Sequence, residues 1–153
     1  MANINTKANI LVGDGFTCRY CGTRLYFAQA IKIIDIHKPG QNLWDAHWKK
    51  EPLKSSGATV DHKKPEDDGG FDTLDNLVAC CVLCNSIKSN GQRTLLPPFS
   101  DKSWDGLSGV FLALAPLYEA RLSKEDKKWL MALRREGIVP TADRSFDKLL
   151  EDY

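Results

Sequence analysis

The sequence predicts an α+β fold built around a metal site, and three observations support it. Two Cys-x-x-Cys pairs, which begin at Cys18 and Cys81, frame much of the first two thirds of the chain. Between them, residues 58–62 and 76–79 have the length and bounding turns of two paired strands. Beyond residue 100 the apolar residues recur at helical spacing. A small sheet held by metal, followed by helices, is the expected architecture.

The composition is that of an ordinary globular protein. The chain has 153 residues, of which 42% are hydrophobic and 27% charged, so it can bury a core as one domain or as a domain with an appendage. No apolar run has signal-peptide length or approaches the roughly 20 residues that a membrane span needs. We therefore expect a cytoplasmic protein with no membrane partner, whose cysteines stay reduced.

The formal net charge is only +1, whereas nucleic-acid-binding domains are usually clearly basic. Contact with nucleic acid would therefore depend on local cationic patches and on a metal that touches phosphate. The candidate patches are Lys49, Lys50 and Lys54, then Lys63 and Lys64, then Lys88 and Arg93.

The first half of the chain is predicted to consist of short elements. Residues 5–13 are expected to form a helix that ends at a glycine-containing turn. Residues 24–36 are apolar and rich in isoleucine, and their pattern leaves helix and strand open. A further helix is expected over residues 43–50, with Trp44 and Trp48 one turn apart on one face.

The second half begins with a hairpin and becomes helical. The strands at 58–62 and 76–79 are joined by an acidic, glycine-ended loop, and a helix should open at residues 85–90. An apolar stripe predicts a helix over 106–121, which Pro116 must kink or restart. Ser123 resembles the N-cap of the next helix, and residues 144–151 are expected to form a last short one.

The cysteines suit one structural zinc ion. Two Cys-x-x-Cys turns close a tetrahedral thiolate site with no open position, so the ion would stabilise the fold. Cys80 complicates the register because it can replace Cys81 with one more residue of spacing. We favour the tighter pair, which mirrors the first one. The predicted Zn²⁺ ligands are Cys18, Cys21, Cys81 and Cys84.

A second, harder metal site is predicted around Asp61 and Asn85. Hydrolysis of a phosphodiester needs a base for the proton of water and positive charge on the phosphate. His62 is the natural base, and its strand neighbour Asp61 leaves on the opposite side. A carboxylate and the amide oxygen of Asn85 form a magnesium-like ligand set. Asn76 would fix the imidazole by a hydrogen bond, and Lys88 would meet the phosphate.

The runs that carry these residues resemble the zinc-containing HNH endonuclease family. The resemblance covers residues 13–91 and involves many positions in the right order. It implies a ββα-metal fold, in which a hairpin ends in the Asp-His strand and a helix supplies the last ligand. The runs are DGFTCRYCG at 14–22, VDHKKP at 60–65, GG at 69–70, DNLV at 75–78 and CVLCNSIK at 81–88.

Carried over by position, the resemblance implies roles for individual residues. Asp61 and Asn85 would bind the catalytic ion, His62 would be the general base and Asn76 would orient it. In the three-residue motif that gives the family its name, the third position is Asn in this chain rather than His. The harder oxygen ligand favours Mg²⁺ or Mn²⁺ over zinc at the active site. The substrate would be DNA, expected to be double-stranded, with products that carry 5′-phosphate and 3′-hydroxyl ends. The expected substrate contacts are Lys63, Lys88 and Arg93.

The expected organisation is a zinc-stabilised nuclease domain over residues 1–100, with 25–57 as an insertion, and a helical extension over 101–153 packed on it. Cutting both strands would need a homodimer or two successive nicks. Two alternatives remain open: a zinc-dependent nucleic-acid-binding module without cleavage activity, and a zinc-stabilised interaction scaffold. The complete set of reactive residues counts against the binding module, because a binder needs no base beside a metal ligand.

Overall fold

The computed structural model describes residues 2–87 and 94–141, and within them it confirms an α+β fold. No helix in these two ranges is long and apolar enough to cross a membrane. The helices are α1 (Ile4–Gly13), α2 (Ala28–His37), α3 (Leu53–Ser56), α4 (Val82–Ile87), α5 (Ser108–Leu114) and α6 (Lys124–Arg135), and the strands are β1 (Ala58–His62) and β2 (Leu77–Cys81).

The predicted hairpin is confirmed. β1 pairs antiparallel with β2 in a register that runs from Ala58 opposite Cys81 to His62 opposite Leu77. Every residue of β2 is buried, whereas β1 is half-buried, so one strand lies inside and the other near the surface. Helix α4 follows β2 without a linker and completes a ββα unit. The rest of the helix expected over 85–90 lies outside the described residues.

The predicted N-terminal helix is also confirmed. Asn3 caps α1, because its side-chain oxygen accepts a hydrogen bond from the backbone N–H of Thr6 at 2.8 Å. The open choice at residues 24–36 is resolved as a helix from Ala28, after isolated bridges at Arg24 and Tyr26.

The helix expected over residues 43–50 does not form, and that prediction was wrong. The carboxylate of Asp35 accepts hydrogen bonds from the backbone N–H groups of Leu43 and Trp44, which draws this segment back onto α2. Trp48 has a φ of +54°, in the left-handed region that a right-handed helix excludes. The hydrogen bonds to the Asp35 carboxylate of α2 therefore outweigh the helical preference that the spacing of the tryptophans indicated.

The C-terminal helices follow the prediction. Helix α5 passes at Pro116 into a 3₁₀ segment, Ala115–Arg121, so the proline restarts the helix as expected. Ser123 caps α6 in a capping box, in which the Ser123 and Asp126 side chains each accept a backbone N–H of the other residue. The helix expected at 144–151 lies outside the described residues.

The C-terminal helices pack directly on the N-terminal ones. The Phe27 ring lies edge-on to Phe111 and to Trp129, with ring centroids 5.3 and 5.0 Å apart. Lys32 of α2 forms an ion pair at 3.0 Å with Asp126, a carboxylate that is only 3% exposed. These contacts give α2, α5 and α6 a shared core.

Candidate active site and metal centre

The four predicted zinc ligands converge. The sulfur atoms of Cys18, Cys21, Cys81 and Cys84 all lie within 4.8 Å of one another. The Cys21 and Cys81 sulfurs are 3.8 Å apart, which is the edge of a tetrahedron with zinc–sulfur bonds of about 2.3 Å. The backbone N–H of Cys84 also donates to the Cys81 sulfur at 3.3 Å. The cluster could therefore bind zinc as a closed structural site.

Cys80 lies beside this cluster and outside it. Its thiol has two acceptors, the carbonyl oxygen of Cys81 at 3.3 Å and the sulfur of Cys18. The hydrogen bond from Cys80 lowers the pKa of Cys18 to about 4, and the same bond raises the pKa of Cys80. Cys18 thus has the character of a thiolate ligand, while Cys80 remains a protonated donor. Of the two neighbouring cysteines, Cys81 and not Cys80 belongs to the four-sulfur cluster, as predicted.

The first cysteine turn is anchored on β2. The backbone N–H of Arg19 donates to the carbonyl oxygen of Ala79 at 3.0 Å. The Asp14 carboxylate accepts from the N–H of Ala79 at 2.9 Å and from the Arg19 guanidinium at 3.1 Å. These contacts hold the turn against the hairpin and place Tyr20, which lies between the two cysteines, over β1.

The two predicted ligands of the catalytic ion come from different elements, Asp61 from β1 and Asn85 from α4, and both connect to one face of β1. Thr59 and Asp61 are two residues apart on the strand, so their side chains project to the same side. Asp61 accepts a hydrogen bond from the Tyr20 hydroxyl at 2.9 Å, and Asn85 donates its amide N–H to the Thr59 hydroxyl oxygen at 3.3 Å. With its nitrogen directed to Thr59, Asn85 could offer its amide oxygen to a cation. A carboxylate and an amide oxygen fit Mg²⁺ or Mn²⁺.

The imidazole of His62 is held by carboxylates of the hairpin loop. Its Nε2 atom lies 2.5 Å from Asp72 Oδ1 and 3.4 Å from Glu66 Oε1. The hydrogen bond from His62 holds the pKa of the Asp72 carboxyl below its ordinary value. A ring that donates through Nε2 carries its lone pair on Nδ1. The arrangement therefore suits a base whose second nitrogen is bonded to an acid.

Asn76 does not make the contact predicted for it. The three hydrogen bonds that its side chain forms with described residues all go to the loop backbone. Its oxygen accepts from the N–H of Lys64 at 2.8 Å, and its nitrogen donates to the carbonyl oxygens of Lys64 at 3.1 Å and Phe71 at 2.9 Å. Phe71 directly precedes Asp72, the partner of the His62 ring. Asn76 thus shapes the loop that carries Asp72, and the predicted bond to the imidazole is corrected.

Of the three predicted substrate contacts, Lys63 lies within the described residues. Lys63 follows directly after β1, and its backbone N–H donates to the carbonyl oxygen of Asn76 at 2.7 Å. Its half-buried side chain and the exposed Lys64 lie beside His62 in the chain. Lys88 and Arg93 lie outside the described residues.

Sequence reasoning missed four side chains that touch the predicted site residues. For Glu66 and Asp72 a signal existed, since carboxylates follow the histidine within a glycine-ended loop. The signal for the other two was weaker. Tyr20 is a hydroxyl residue within a cysteine turn, and Thr59 is a hydroxyl residue two positions before the aspartate. Only the pairing of β1 with β2 and the docking of the cysteine turn show which atoms these groups reach.

The fold and the site together define a unit made of a hairpin, a helix and two cysteine turns, whose four sulfurs could hold zinc. Residues 48–91 match the family model of the HNH endonucleases. The matched segment contains the hairpin, α4 and the predicted reactive residues, and it leaves out the first cysteine pair. No curated protein and no solved structure is significantly similar to the chain. The match confirms, over residues 48–91, the resemblance to HNH endonucleases that the motifs predicted.

Proposed function

We propose that the protein is a metal-dependent DNA endonuclease that hydrolyses phosphodiester bonds and leaves 5′-phosphate and 3′-hydroxyl ends. One observation carries the proposal. Within the segment that matches the HNH endonucleases, Asp61 projects from one face of β1 and Asn85 of α4 is bonded to Thr59 on the same face, while the adjacent His62 is bonded to a carboxylate. A base beside a set of hard oxygen ligands is what hydrolysis of a phosphodiester requires.

Each residue has a defined task in this proposal. Asp61 and Asn85 would hold a Mg²⁺ or Mn²⁺ ion, which would supply positive charge to the phosphate and to the leaving oxygen. His62 accepts the proton of the attacking water at Nδ1. The imidazolium that results is stabilised by Asp72, because its carboxylate already accepts the hydrogen bond from Nε2. Asn76 keeps the loop in the shape that holds Asp72 beside the ring.

The rest of the chain supports this centre in the same proposal. The four cysteines would hold a Zn²⁺ ion, which would fasten the first cysteine turn to the hairpin. Lys63, Lys88 and Arg93 contact the phosphates of the DNA, and the low net charge makes these local contacts more important than long-range attraction. Residues 1–100 form the nuclease domain with 25–57 as an insertion, and 101–153 form the helical extension. A homodimer, or two successive nicks, would cut a duplex.

The experiment is cleavage of supercoiled plasmid by the zinc-loaded protein with Mg²⁺ or Mn²⁺. We expect nicked or linear product from the unaltered protein. His62→Ala should bind DNA equally well but cut more slowly by about 10²–10⁴-fold, the usual contribution of a general base. His47→Ala is the matched control, because His47 is an exposed histidine outside the site and its loss should change nothing.

Three results would count against the proposal. If the plasmid stays supercoiled with both ions and with DNA from several sources, the protein is not an endonuclease. Zinc-dependent binding of DNA without any cleavage would identify the protein as a binding module. Normal cutting by His62→Ala would show that another group is the base.

A further inference from the structure

We infer that Tyr20 is a positioning residue for Asp61 and thereby couples the first cysteine turn to the catalytic ion site. Its phenol oxygen lies 2.9 Å from Asp61 Oδ2, and in the chain it lies between two predicted zinc ligands, Cys18 and Cys21. Because Asp61 is an ion ligand only under the proposed function, the role inferred for Tyr20 rests on that function.

The Tyr20 hydroxyl is held in place by its surroundings. Tyr20 is only 8% exposed, so its ring has little freedom to turn away from Asp61. The residue before it, Arg19, is bonded to β2 through its backbone and to Asp14 through its side chain. Cys18 and Cys21 of the cluster flank these two residues in the chain. The hydroxyl therefore has a fixed position relative to both the sulfur cluster and the hairpin.

A fixed donor at this place should strengthen cation binding by Asp61. An ionised carboxylate has about four acceptor positions, so one hydrogen bond from Tyr20 leaves room for a metal bond. The same bond selects one orientation of a half-buried carboxylate, which otherwise loses rotational freedom when an ion binds. Partners that orient metal ligands typically contribute about 10–100-fold to metal affinity or activity. The orienting effect should outweigh the small loss of charge density on the oxygen.

Zinc in the cysteine cluster should therefore influence the catalytic ion. Zinc fixes Cys18 and Cys21, and with them the backbone that carries Tyr20. When the cluster is empty, the hydroxyl loses one of its restraints, and the affinity of Asp61 for its ion should fall. A ring that served only as core packing would behave differently, because phenylalanine would then replace it without any effect on the second metal.

The test measures Mn²⁺ binding by electron paramagnetic resonance of the free ion, with the zinc-loaded full chain and no DNA present. Tyr20→Phe should weaken Mn²⁺ binding by about tenfold, at the lower end of the range for such partners. Its zinc content and melting temperature should be those of the unaltered protein. Its cleavage rate should return to normal at saturating Mn²⁺.

Tyr118→Phe is the matched control. It also removes a phenol hydroxyl with a side-chain partner, His37 at 2.7 Å, but on helices outside the site. We expect its Mn²⁺ affinity to be unchanged. In an Asp61→Asn background, Tyr20→Phe should have no further effect, because Tyr20 acts through that carboxylate.

Four outcomes would overturn the inference. They are equal Mn²⁺ affinity in Tyr20→Phe, loss of zinc from that variant, the same loss of Mn²⁺ affinity in Tyr118→Phe, and a tenfold effect of Tyr20→Phe that persists when Asp61 is already replaced. Failure of the proposed function looks different. The unaltered protein would then bind Mn²⁺ and respond to Tyr20→Phe while leaving plasmid uncut.

Discussion

At the scale of single residues, one nitrogen atom of the His62 ring faces carboxylates of the hairpin loop. Nε2 faces Asp72 and, at a longer distance, Glu66, both on the loop that follows β1. A carboxylate that accepts from Nε2 keeps the lone pair on Nδ1 and stabilises the charge that the ring gains with a proton. The reactivity of the base should therefore depend on an acid located ten residues further along the chain.

We predict that Asp72→Asn lowers the rate of DNA cleavage by about tenfold to a hundredfold. The loss should be smaller than that caused by His62→Ala, since the base itself remains. Single-turnover cleavage of a labelled duplex, at saturating Mg²⁺ and protein, measures the rate directly. DNA affinity and zinc content should not change.

Asp75→Asn provides the matched control for Asp72→Asn. Asp75 is an exposed carboxylate of the same loop, and its pKa is lowered chiefly by a hydrogen bond from Thr73. Equal rate losses in the two variants would mean that Asp72 acts through the general charge of the loop and not through the imidazole.

At the scale of elements, the hairpin loop is closed by hydrogen bonds between one side chain and the loop backbone. Asn76 links the Lys64 and Phe71 backbones across the loop. Gly70 allows this, because a Cβ atom there would lie 1.8 Å from the Lys64 carbonyl oxygen and 2.9 Å from the Asn76 amide nitrogen. The position of Asp72 is therefore set by a glycine and an asparagine that have no direct part in the chemistry.

The cysteine turns hold the hairpin from its other end. We predict that Cys18→Ser releases zinc and lowers the melting temperature strongly, because structural zinc binds small modules with roughly 10–16 kcal/mol of apparent free energy. Cys80→Ala is the matched control, since Cys80 is a buried thiol outside the sulfur cluster. It should keep one zinc ion per chain. Metal analysis together with thermal unfolding provides both readouts.

Two results would contradict the four-cysteine site. One is normal zinc content in Cys18→Ser, and the other is loss of zinc in Cys80→Ala. The second result would exchange Cys80 for Cys81 in the ligand set.

The sequence predicts elements well where local signals agree with tertiary contacts. The N-cap at Ser123, the end of α1 at Gly13, the restart at Pro116 and the hairpin around Asp61 are local features, and each appears in the structure. Residues 43–50 show the limit, because Asp35 binds backbone groups there that a helix would otherwise use.

The site shows the same division. Its motif residues could be named from the sequence, because the cysteine turns, the chemistry of the Asp-His strand and the resemblance to the HNH family all pointed to them. Their partners could not, because Tyr20 reaches Asp61 across 41 positions of the chain and only after the cysteine turn has docked on β2. Asn76 has the right position for the motif, but its amide contacts depend on the shape of the loop, which spacing does not determine.

At the scale of the whole molecule, the helical extension and the hairpin domain share packing. Helix α1 contacts both strands and α6, and α2 contacts α5. Phe27, Phe111 and Trp129 join three helices in one aromatic group. The boundary proposed near residue 100 therefore divides the chain in sequence, while the core on its two sides is continuous.

The near-neutral charge of the molecule has a consequence for substrate binding. With a net charge of +1, the protein should not attract DNA over long distances. Phosphate contacts close to the site, and the catalytic ion itself, would have to provide most of the affinity. In the proposed mechanism, His62 activates a water molecule for attack on one phosphate, and the 3′ oxygen leaves.

Cleavage in ¹⁸O-labelled water tests that claim most directly. A duplex is cut once by excess zinc-loaded protein with Mg²⁺, and the ends are analysed by mass spectrometry. We predict that each new 5′-phosphate carries one ¹⁸O atom and that each new 3′ end is an unlabelled hydroxyl. A phosphate on the 3′ end, or a 5′-phosphate without the label, would contradict hydrolysis by water at this site.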